Sequence, residues 1–483
     1  MKKIGVLLAI SSLPSDFGIG DLGANAYEFI DILKQSKVSV WQVLPLTPLG
    51  FGNSPYQSSS SFAGDEIYIA IDKLVEKGLL NDNDIETFNK DSISVDYENV
   101  RAHKNKLLEK AFKNFKKAQN QNAVLEYNSF VAENPWSKNY AVFKTFSKAN
   151  DNNSWNTWQS AQKDWVKNQS ISLDKYQQEI DYQLFLQYIF YTQWFELKSY
   201  ANKNGIEIMG DLPIYAGFDS VDVWGHQDLF LLDNNQSPTH VAGVPPDFFS
   251  ETGQLWGNPL YDWDKLEKTG FKFWIERLKG NFKLFDIVRI DHFRAFDTYW
   301  KIPADETTAI NGEWVEAPGY KFFDTVYKEL PNANIIAEDL GDLRQEVFEL
   351  RDHYNLKGMK VFPFHFDATK KSNDDFDSVE NMVVYTGTHD NNTLKGWYDD
   401  ELNRWQRKLL KRHFKANDRN VVRKIISYCL ACDANYVIVP IQDILELDSS
   451  ARFNTPGQVG SPNWEWKLAN FDGVRNNLEK VFK

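Results

Sequence analysis

The sequence predicts an α/β chain folded as a (β/α)8 barrel, with large insertions after its second and third strands. Three observations carry this expectation. Short apolar runs, several rich in β-branched residues, recur along the chain, and each ends at a polar residue or a proline. Helix-like stretches separate several of them, which is the alternation expected of parallel βα units. The chain has 483 residues, well above the ~250 of a typical barrel, and the surplus is concentrated in two places.

The first run, Ile4 to Ile10, ends at Ser11-Ser12. Met1-Lys2-Lys3 ahead of it gives a faint look of a signal peptide. The apolar run is at the lower length limit for one and no small-x-small cleavage site follows, so a buried first strand is expected. Asp21 to Lys37 reads as an amphipathic helix, and Val38 to Leu44 as a second strand ending at Pro45. The stretch from Pro45 to Gly205 is far longer than an ordinary βα loop. From Val100 onward it is rich in Lys, Gln, Asn and aromatics. Residues 46–204 are therefore expected to form a mostly helical insertion.

Ile206 to Gly210 ends at Asp211, and a second insertion spans 212–283. Pro, Gly and aromatics crowd residues 244–259, the pattern of an ordered, exposed lid loop. The remaining strands end at chemically telling positions. Ile287 to Ile290 ends at Asp291, Asn334 to Ala337 at Glu338-Asp339, and Met359 to Phe362 at Pro363. Met382 to Tyr385 leads into Thr386-Gly387-Thr388-His389-Asp390, and Asn435 to Val439 ends at Pro440. Leu402 to Phe414 reads as a helix between the last two. Too few residues follow Val439 for a further β-sandwich domain of ~100 residues. One catalytic barrel over 1–483 is expected. A doubly wound open sheet is the alternative, but no Gly-x-Gly-x-x-Gly follows a strand, so a dinucleotide fold has no support.

Composition narrows the function. Hydrophobic content is 42% and charged content 25%, which excludes intrinsic disorder. No apolar run approaches the ~18 residues of a membrane span. The net charge of −13 is wrong for a nucleic-acid binder, whose affinity rests on cations neutralising phosphates. The 16 Trp, 21 Tyr and 34 Phe are an excess that fills cores and also supplies flat stacking platforms. Cys429 and Cys432 form a C-x-x-C spacing within a helical run, so two core residues one turn apart are expected rather than a redox pair. So few cysteines point to a reducing cytoplasm. The eight histidines are scattered, and neither a metal nor a cofactor is expected. Monomer and homodimer stay open.

Asp211, Asp291, Glu338 and Asp390 all fall at strand ends. Each alone reads as a helix cap or a solvated turn residue. Four acids on four strands of one barrel converge at its mouth, and that joint placement points to chemistry. Two opposed carboxyls are the minimum machinery for breaking a glycosidic bond. Arg289 lies two residues before Asp291, so both side chains share one face of the strand. Arg289 is expected to hold Asp291 ionised, as a nucleophile requires. The apolar wall Ile335-Ile336-Ala337 should raise the pKa of Glu338 and suit it to donate a proton. Asp339 should point away from the mouth. His389 with Asp390 offers a donor beside an acceptor for sugar hydroxyls.

Several motifs together resemble the 4-alpha-glucanotransferase family, the amylomaltases or disproportionating enzymes, over nearly the whole chain. They are Ser12-Leu13-Pro14-Ser15, Trp41-Gln42-Val43-Leu44-Pro45-Leu46, Ser54-Pro55-Tyr56-Gln57-Ser58, Gly210-Asp211-Leu212-Pro213 and the loop from Pro245 to Pro259. Arg289-Ile290-Asp291-His292-Phe293-Arg294, Ala337-Glu338-Asp339-Leu340-Gly341, Thr386 to Asn391 and Asn454-Thr455-Pro456-Gly457 complete the set. The resemblance implies a retaining transferase acting on 1,4-α-glucans and maltooligosaccharides. It implies Asp291 as nucleophile, Glu338 as acid/base and Asp390 as stabiliser of the transition state. Tyr56, Asp211, Arg289 and His389 would line the same sugar subsite. Asp247, Trp256 and Asn258 would form the lid and acceptor side, with Phe248 and Phe249 helping to exclude water. Retention requires the two carboxyls about 5–5.5 Å apart. Two departures are Ala9-Ile10, where many members carry His-Pro, and Lys467, where Arg is common. An α-glucan hydrolase using the same carboxylates is the alternative. A non-enzymatic glucan-binding protein is a third reading, but it has no need of all three acids.

Overall fold

The computed structural model describes residues 2–118, 120–246, 250–370 and 379–482. Its strands in chain order are β1 (Lys3–Leu7), β2 (Val40–Gln42), β3 (Glu207–Leu212), β4 (His240–Val244), β5 (Gln254–Pro259) and β6 (Ile287–Ile290). They continue with β7 (Thr298–Pro303), β8 (Glu313–Glu316), β9 (Ile335–Ala337), β10 (Gly358–Val361), β11 (Met382–Tyr385) and β12 (Tyr436–Pro440). All eight expected runs become parallel strands of one sheet, ordered β10-β11-β12-β1-β2-β3-β6-β9. A parallel bridge between Ile336 and Lys357 joins its two ends, and the Ala337 N–H donates to the Lys357 carbonyl at 2.8 Å. The sheet therefore closes on itself as a (β/α)8 barrel.

The strands are apolar on both faces because each face is covered. Val6, Val40, Trp41, Ile208, Met209, Ile287, Val288, Val383 and Val437 are all fully buried. The helix Ala24–Gln35 returns β1 to β2 and packs Phe29, Ile30, Ile32 and Leu33 inward. The first run is cut shorter than its apolar length suggests. β1 ends at Leu7, and Ile10–Ser12 is a 3-10 turn. The Leu8 carbonyl is taken by the Trp41 indole N–H at 2.9 Å, so a side chain replaces the ladder there.

The chain between β2 and β3 carries the helices Tyr97–Ala118, Gln121–Glu133, Trp136–Ala149 and Gln177–Lys203. Many of the aromatics go here: Phe112, Phe115, Tyr127, Phe130, Trp136, Tyr188 and Tyr191 pack ring against ring. Arg101 on the first of these helices grips Asp65 with two N–H groups, at 2.6 and 3.0 Å. Asp65 also accepts from the Leu49 and Ile67 backbones at 2.8 and 2.9 Å. That bidentate pair fixes the loop after β2, which delivers Tyr56.

A second, four-stranded antiparallel sheet, ordered β5-β4-β7-β8, was not legible in the sequence. It joins β4 and β5, from the segment after β3, to β7 and β8, which follow β6. β5 contains Gly257 and Pro259 and lacks a period-2 pattern, and its sheet is completed by strands distant in sequence. Part of the lid expectation thus becomes strand. Asp247, Phe248 and Phe249 lie outside the described residues. The C-x-x-C expectation also needs correction. Cys429 is fully buried in the helix Val421–Ala431, but Cys432 stands at the helix end, half-buried, its thiol donating to the Cys429 carbonyl at 2.9 Å.

Gly210, just before Asp211, is a packing requirement. A methyl group there would sit 2.1 Å from the Phe285 ring. Gly210→Ala is expected to cost about 1–3 kcal/mol as the ring and β3 are forced apart. A urea unfolding midpoint equal to that of the parent chain would contradict this.

Candidate active site

Every acidic candidate stands where a barrel strand stops. Asp211 is the fifth residue of β3, Asp291 follows β6, Glu338 follows β9, and His389-Asp390 lie just beyond β11. Two of these positions are pinned by continuation of the backbone ladder. The Asp291 N–H donates to the Leu212 carbonyl at 3.0 Å, and the Glu338 N–H to the Ile290 carbonyl at 3.1 Å.

Arg289 is the hub. It is 3% exposed, and its Nη1 donates to Asp211 Oδ2 at 2.6 Å and to Asp291 Oδ1 at 3.1 Å. The Tyr56 hydroxyl donates to the same Asp211 oxygen at 2.8 Å. The Tyr56 ring stacks on His389, with centroids 5.2 Å apart and planes 14° from parallel. His389 Nε2 lies 3.4 Å from Asp390 Oδ2. Tyr56, Asp211, Arg289, Asp291, His389 and Asp390 are thus one connected constellation. Glu338 joins it electrostatically, through the charges of Arg289 and Asp291. Its two carboxyl oxygens accept from the His292 N–H at 2.7 Å and the Leu340 N–H at 3.1 Å. His292 occupies the left-handed region, with φ at 51°. Asp339 faces elsewhere, as its alternation with Glu338 implies: it pairs with Arg351 at 2.5 Å and accepts from the Met359 N–H at 2.7 Å.

Burial dominates the electrostatics. It raises the Glu338 carboxyl to about 8, against the pull of Arg289 and with the Asp291 charge adding to the rise. It also raises Asp291 to about 7, again against Arg289, with Asp211 and Asp390 adding. The expectation that Arg289 holds Asp291 ionised is corrected here: its charge lowers the Asp291 pKa, but burial outweighs it. Arg289 spends much of its charge on Asp211, the closer partner, and three carboxylates repel one another around it. Burial and mutual repulsion thus raise the Asp291–Glu338 pair together, so that the pair keeps a proton near neutral pH. Burial lowers the pKa of His389, and lowers His292 to about 4 with Arg294 adding, so both imidazoles are neutral at pH 7.

Beside this constellation, Trp256 meets His292 edge to face, with centroids 4.8 Å apart. Asn258 is 4% exposed and committed to the scaffold. Its Oδ1 accepts from Gln57 Nε2 at 3.1 Å and its Nδ2 donates to the Ala216 carbonyl at 3.1 Å, while Gln57 also donates to the Trp256 carbonyl at 3.2 Å. Asn258 therefore ties β5 to the loop carrying Tyr56. The structure adds residues that the sequence left without roles. Asn454 donates to Asp390 Oδ1 at 2.6 Å, and Arg452 to the Asp390 carbonyl at 2.8 Å. Trp464 lies 5.8 Å from the Tyr56 ring and 6.0 Å from that of His389. Asn454 stands in a motif already noted and His292 directly follows Asp291, but Arg452 meets Asp390 across 62 residues and Trp464 meets Tyr56 from near the other end of the chain, so neither leaves a local signal. Among the described residues, no group of three or more His, Cys, Asp or Glu is arranged to hold a metal ion.

The described geometry meets known proteins as follows. The sequence model of the 4-alpha-glucanotransferase family matches residues 8–472. A 4-alpha-glucanotransferase of Streptococcus pneumoniae is 44% identical over 476 residues, covering 97% of this chain and 93% of the relative. One from Aquifex aeolicus is 41% identical over 473 residues, covering 97% and 96%. The solved amylomaltase of Streptococcus agalactiae, in complex with acarbose, is 36% identical and superposes with a TM-score of 0.94, over 100% of this chain and 98% of that one. An amylomaltase of Corynebacterium glutamicum, 16% identical, shares the fold with a TM-score of 0.83, over 100% of this chain and 75% of its own. By this agreement across nearly its full length, the chain belongs to the 4-alpha-glucanotransferase family.

Proposed function

We propose that the protein moves a segment of a 1,4-α-glucan onto the 4-hydroxyl of a second glucan or of glucose, through a covalent intermediate on Asp291. The single observation that carries this reading is the pair Asp291 and Glu338, half-buried at two neighbouring strand ends, with Arg289 bonded to Asp291. In the first step an ionised Asp291 oxygen attacks the anomeric carbon while Glu338 gives its proton to the departing glycosidic oxygen. In the second, Glu338 takes the proton from the acceptor 4-hydroxyl as that oxygen displaces Asp291. The anomeric carbon is inverted twice and so retained.

Asp390 binds sugar hydroxyls and faces the developing positive charge, held by Asn454 and Arg452. Tyr56 presents a ring face, and Asp211, Arg289 and His389 line the same subsite. Trp256 belongs to the acceptor side, and exclusion of water there favours transfer over hydrolysis. Neutral glucan partners need neither a basic surface nor a cofactor. The scarcity of cysteines, two in 483 residues, supports a cytoplasmic setting, and no helix among the described residues is long and apolar enough to cross a membrane.

Maltotriose tests the reading. A transferase yields glucose and longer oligomers with little net gain in reducing ends. A steady rise in reducing ends without longer products would favour the hydrolase instead. The pH dependence follows from the same pair. The kcat/KM profile is expected to be a bell whose acid limb reports protonation of Asp291 and whose alkaline limb reports loss of the Glu338 proton. Both limbs lie above the ordinary carboxylate range, because burial raises these groups to about 7 and about 8. A profile flat from pH 5 to pH 9 would contradict it.

A further inference from the structure

We propose that Arg277 and Thr47 are positioning residues for Asp211, acting through ordered water in a cavity that all three line. The inference rests on the function proposed above. Asp211 uses its two oxygens unequally. Oδ2 accepts from Arg289 and Tyr56, whereas Oδ1 is buried and has no protein partner. A buried carboxylate oxygen left bare is costly, so something must solvate it. One cavity is lined by Asp211, Thr47 and Arg277 together. Two more buried polar atoms without protein partners are Thr47 Oγ1 and Arg277 Nε. The three orphans are complementary. Arg277 Nε can only donate, Asp211 Oδ1 as a carboxylate oxygen accepts, and the Thr47 hydroxyl does either. Water accepts from Arg277, donates to Asp211 and finds its third partner in Thr47, which meets the two to four polar contacts that a buried water needs.

Arg277 has a second hold on the same place. It sits on the helix Lys272–Leu284, is 1% exposed, and makes no ion pair among the described residues. Its guanidinium lies over the Trp274 ring, 4.3 Å from the centroid. It donates to the Pro213 carbonyl at 2.7 Å, the Ile214 carbonyl at 3.1 Å and the Tyr261 hydroxyl at 2.8 Å. Tyr261 in turn donates to the Ile214 carbonyl at 2.8 Å. Pro213 and Ile214 are the residues through which the chain leaves β3, directly after Asp211-Leu212. The guanidinium thus fixes the backbone exit and, through water, the free oxygen of the carboxylate.

The test separates hydrogen bonding from packing. Thr47→Val keeps the side-chain shape and removes the hydroxyl, whereas Thr47→Ser keeps the hydroxyl and removes a methyl. With maltotriose, T47V is expected to lower kcat about tenfold with KM and Tm little changed, the scale of one hydrogen bond in a charged network. T47S is expected to keep near-parental kcat. R277K retains the charge but loses Nε, and is expected to lower kcat at least as far. Should R277K fail to fold, the Thr47 pair decides alone. A crystal structure of the parent chain should show water bonded to Asp211 Oδ1, Thr47 Oγ1 and Arg277 Nε. A dry cavity, a T47V variant with parental kcat, or a T47S variant as impaired as T47V would overturn the proposal. Water occupancy is read without any activity, so a parent chain inactive on maltotriose would count against the proposed function and not against this inference.

Discussion

Asp291→Asn is expected to lower maltotriose disproportionation by roughly 10⁴-fold or more, while the melting temperature at pH 8 stays equal to or above that of the parent chain. The amide has the shape of the carboxyl but cannot form the glycosyl ester. Arg289 keeps its closer contact, Asp211 at 2.6 Å, so no cation is stranded. The sign of the stability effect follows from linkage. Folding raises the Asp291 carboxyl from its ordinary value near 3.8 to about 7. Between those values the folded chain binds more protons than the unfolded one, so its stability falls as pH rises and stays lowered above pH 7. Asn carries no such penalty. The advantage of D291N should therefore grow from pH 5 to pH 8 and then level off. Calorimetry at those two pH values, with initial rates of glucose release, checks both halves. Persisting activity would remove Asp291 from the nucleophile role, and a collapsed melting temperature would make it a structural residue.

Glu338→Gln is expected to reduce turnover of maltotriose by roughly 10³-fold, with the loss depending on the donor. The sugar displaced from maltotriose would leave as an alkoxide and needs the proton. A glycosyl fluoride leaves as fluoride and does not, so the first step should recover with that donor. The second step still needs a base to take the acceptor proton, so the variant should stall after forming the intermediate. E338Q should also lose the alkaline limb of the pH profile, because the group raised to about 8 is gone. An equal loss with maltotriose and with the fluoride, or an unchanged alkaline limb, would show that Glu338 is not the proton carrier.

Much of this fold was legible because barrel strands are buried on both faces. Ile287-Val288-Arg289-Ile290 and Met382-Val383-Val384-Tyr385 stand out as short β-branched runs, and all eight such runs joined one sheet. The acids at their ends were legible for the same reason, since a strand end is easy to mark and fixes which side chains face the barrel mouth. The antiparallel sheet was not. β4 pairs with β5 and β7 with β8 through connections much longer than a two-residue turn, and β4 meets β7 only across a long stretch of chain, so no tight-turn hairpin signal marks the sheet. Within the site, Arg289 was found by its period-2 relation to Asp291, yet its main partner proved to be Asp211, on another strand. Sequence spacing reports which face a side chain occupies and is silent on competition between partners. The same limit hid the hold of Asn454 on Asp390, 64 residues away, and the approach of Trp464 to Tyr56 from near the other end of the chain. Asn258 shows the converse: a residue assigned to the lid by resemblance is buried and bonded to Gln57 and Ala216.

The account stands on a covalent glycosyl–Asp291 intermediate, and mass spectrometry tests it directly. E338Q incubated with α-maltosyl fluoride and no acceptor should gain the mass of one maltosyl group, and peptide mapping should locate it on Asp291. Addition of glucose or maltose should then release it slowly. An unmodified chain that nevertheless releases fluoride, or a label on any residue other than Asp291, would contradict the account.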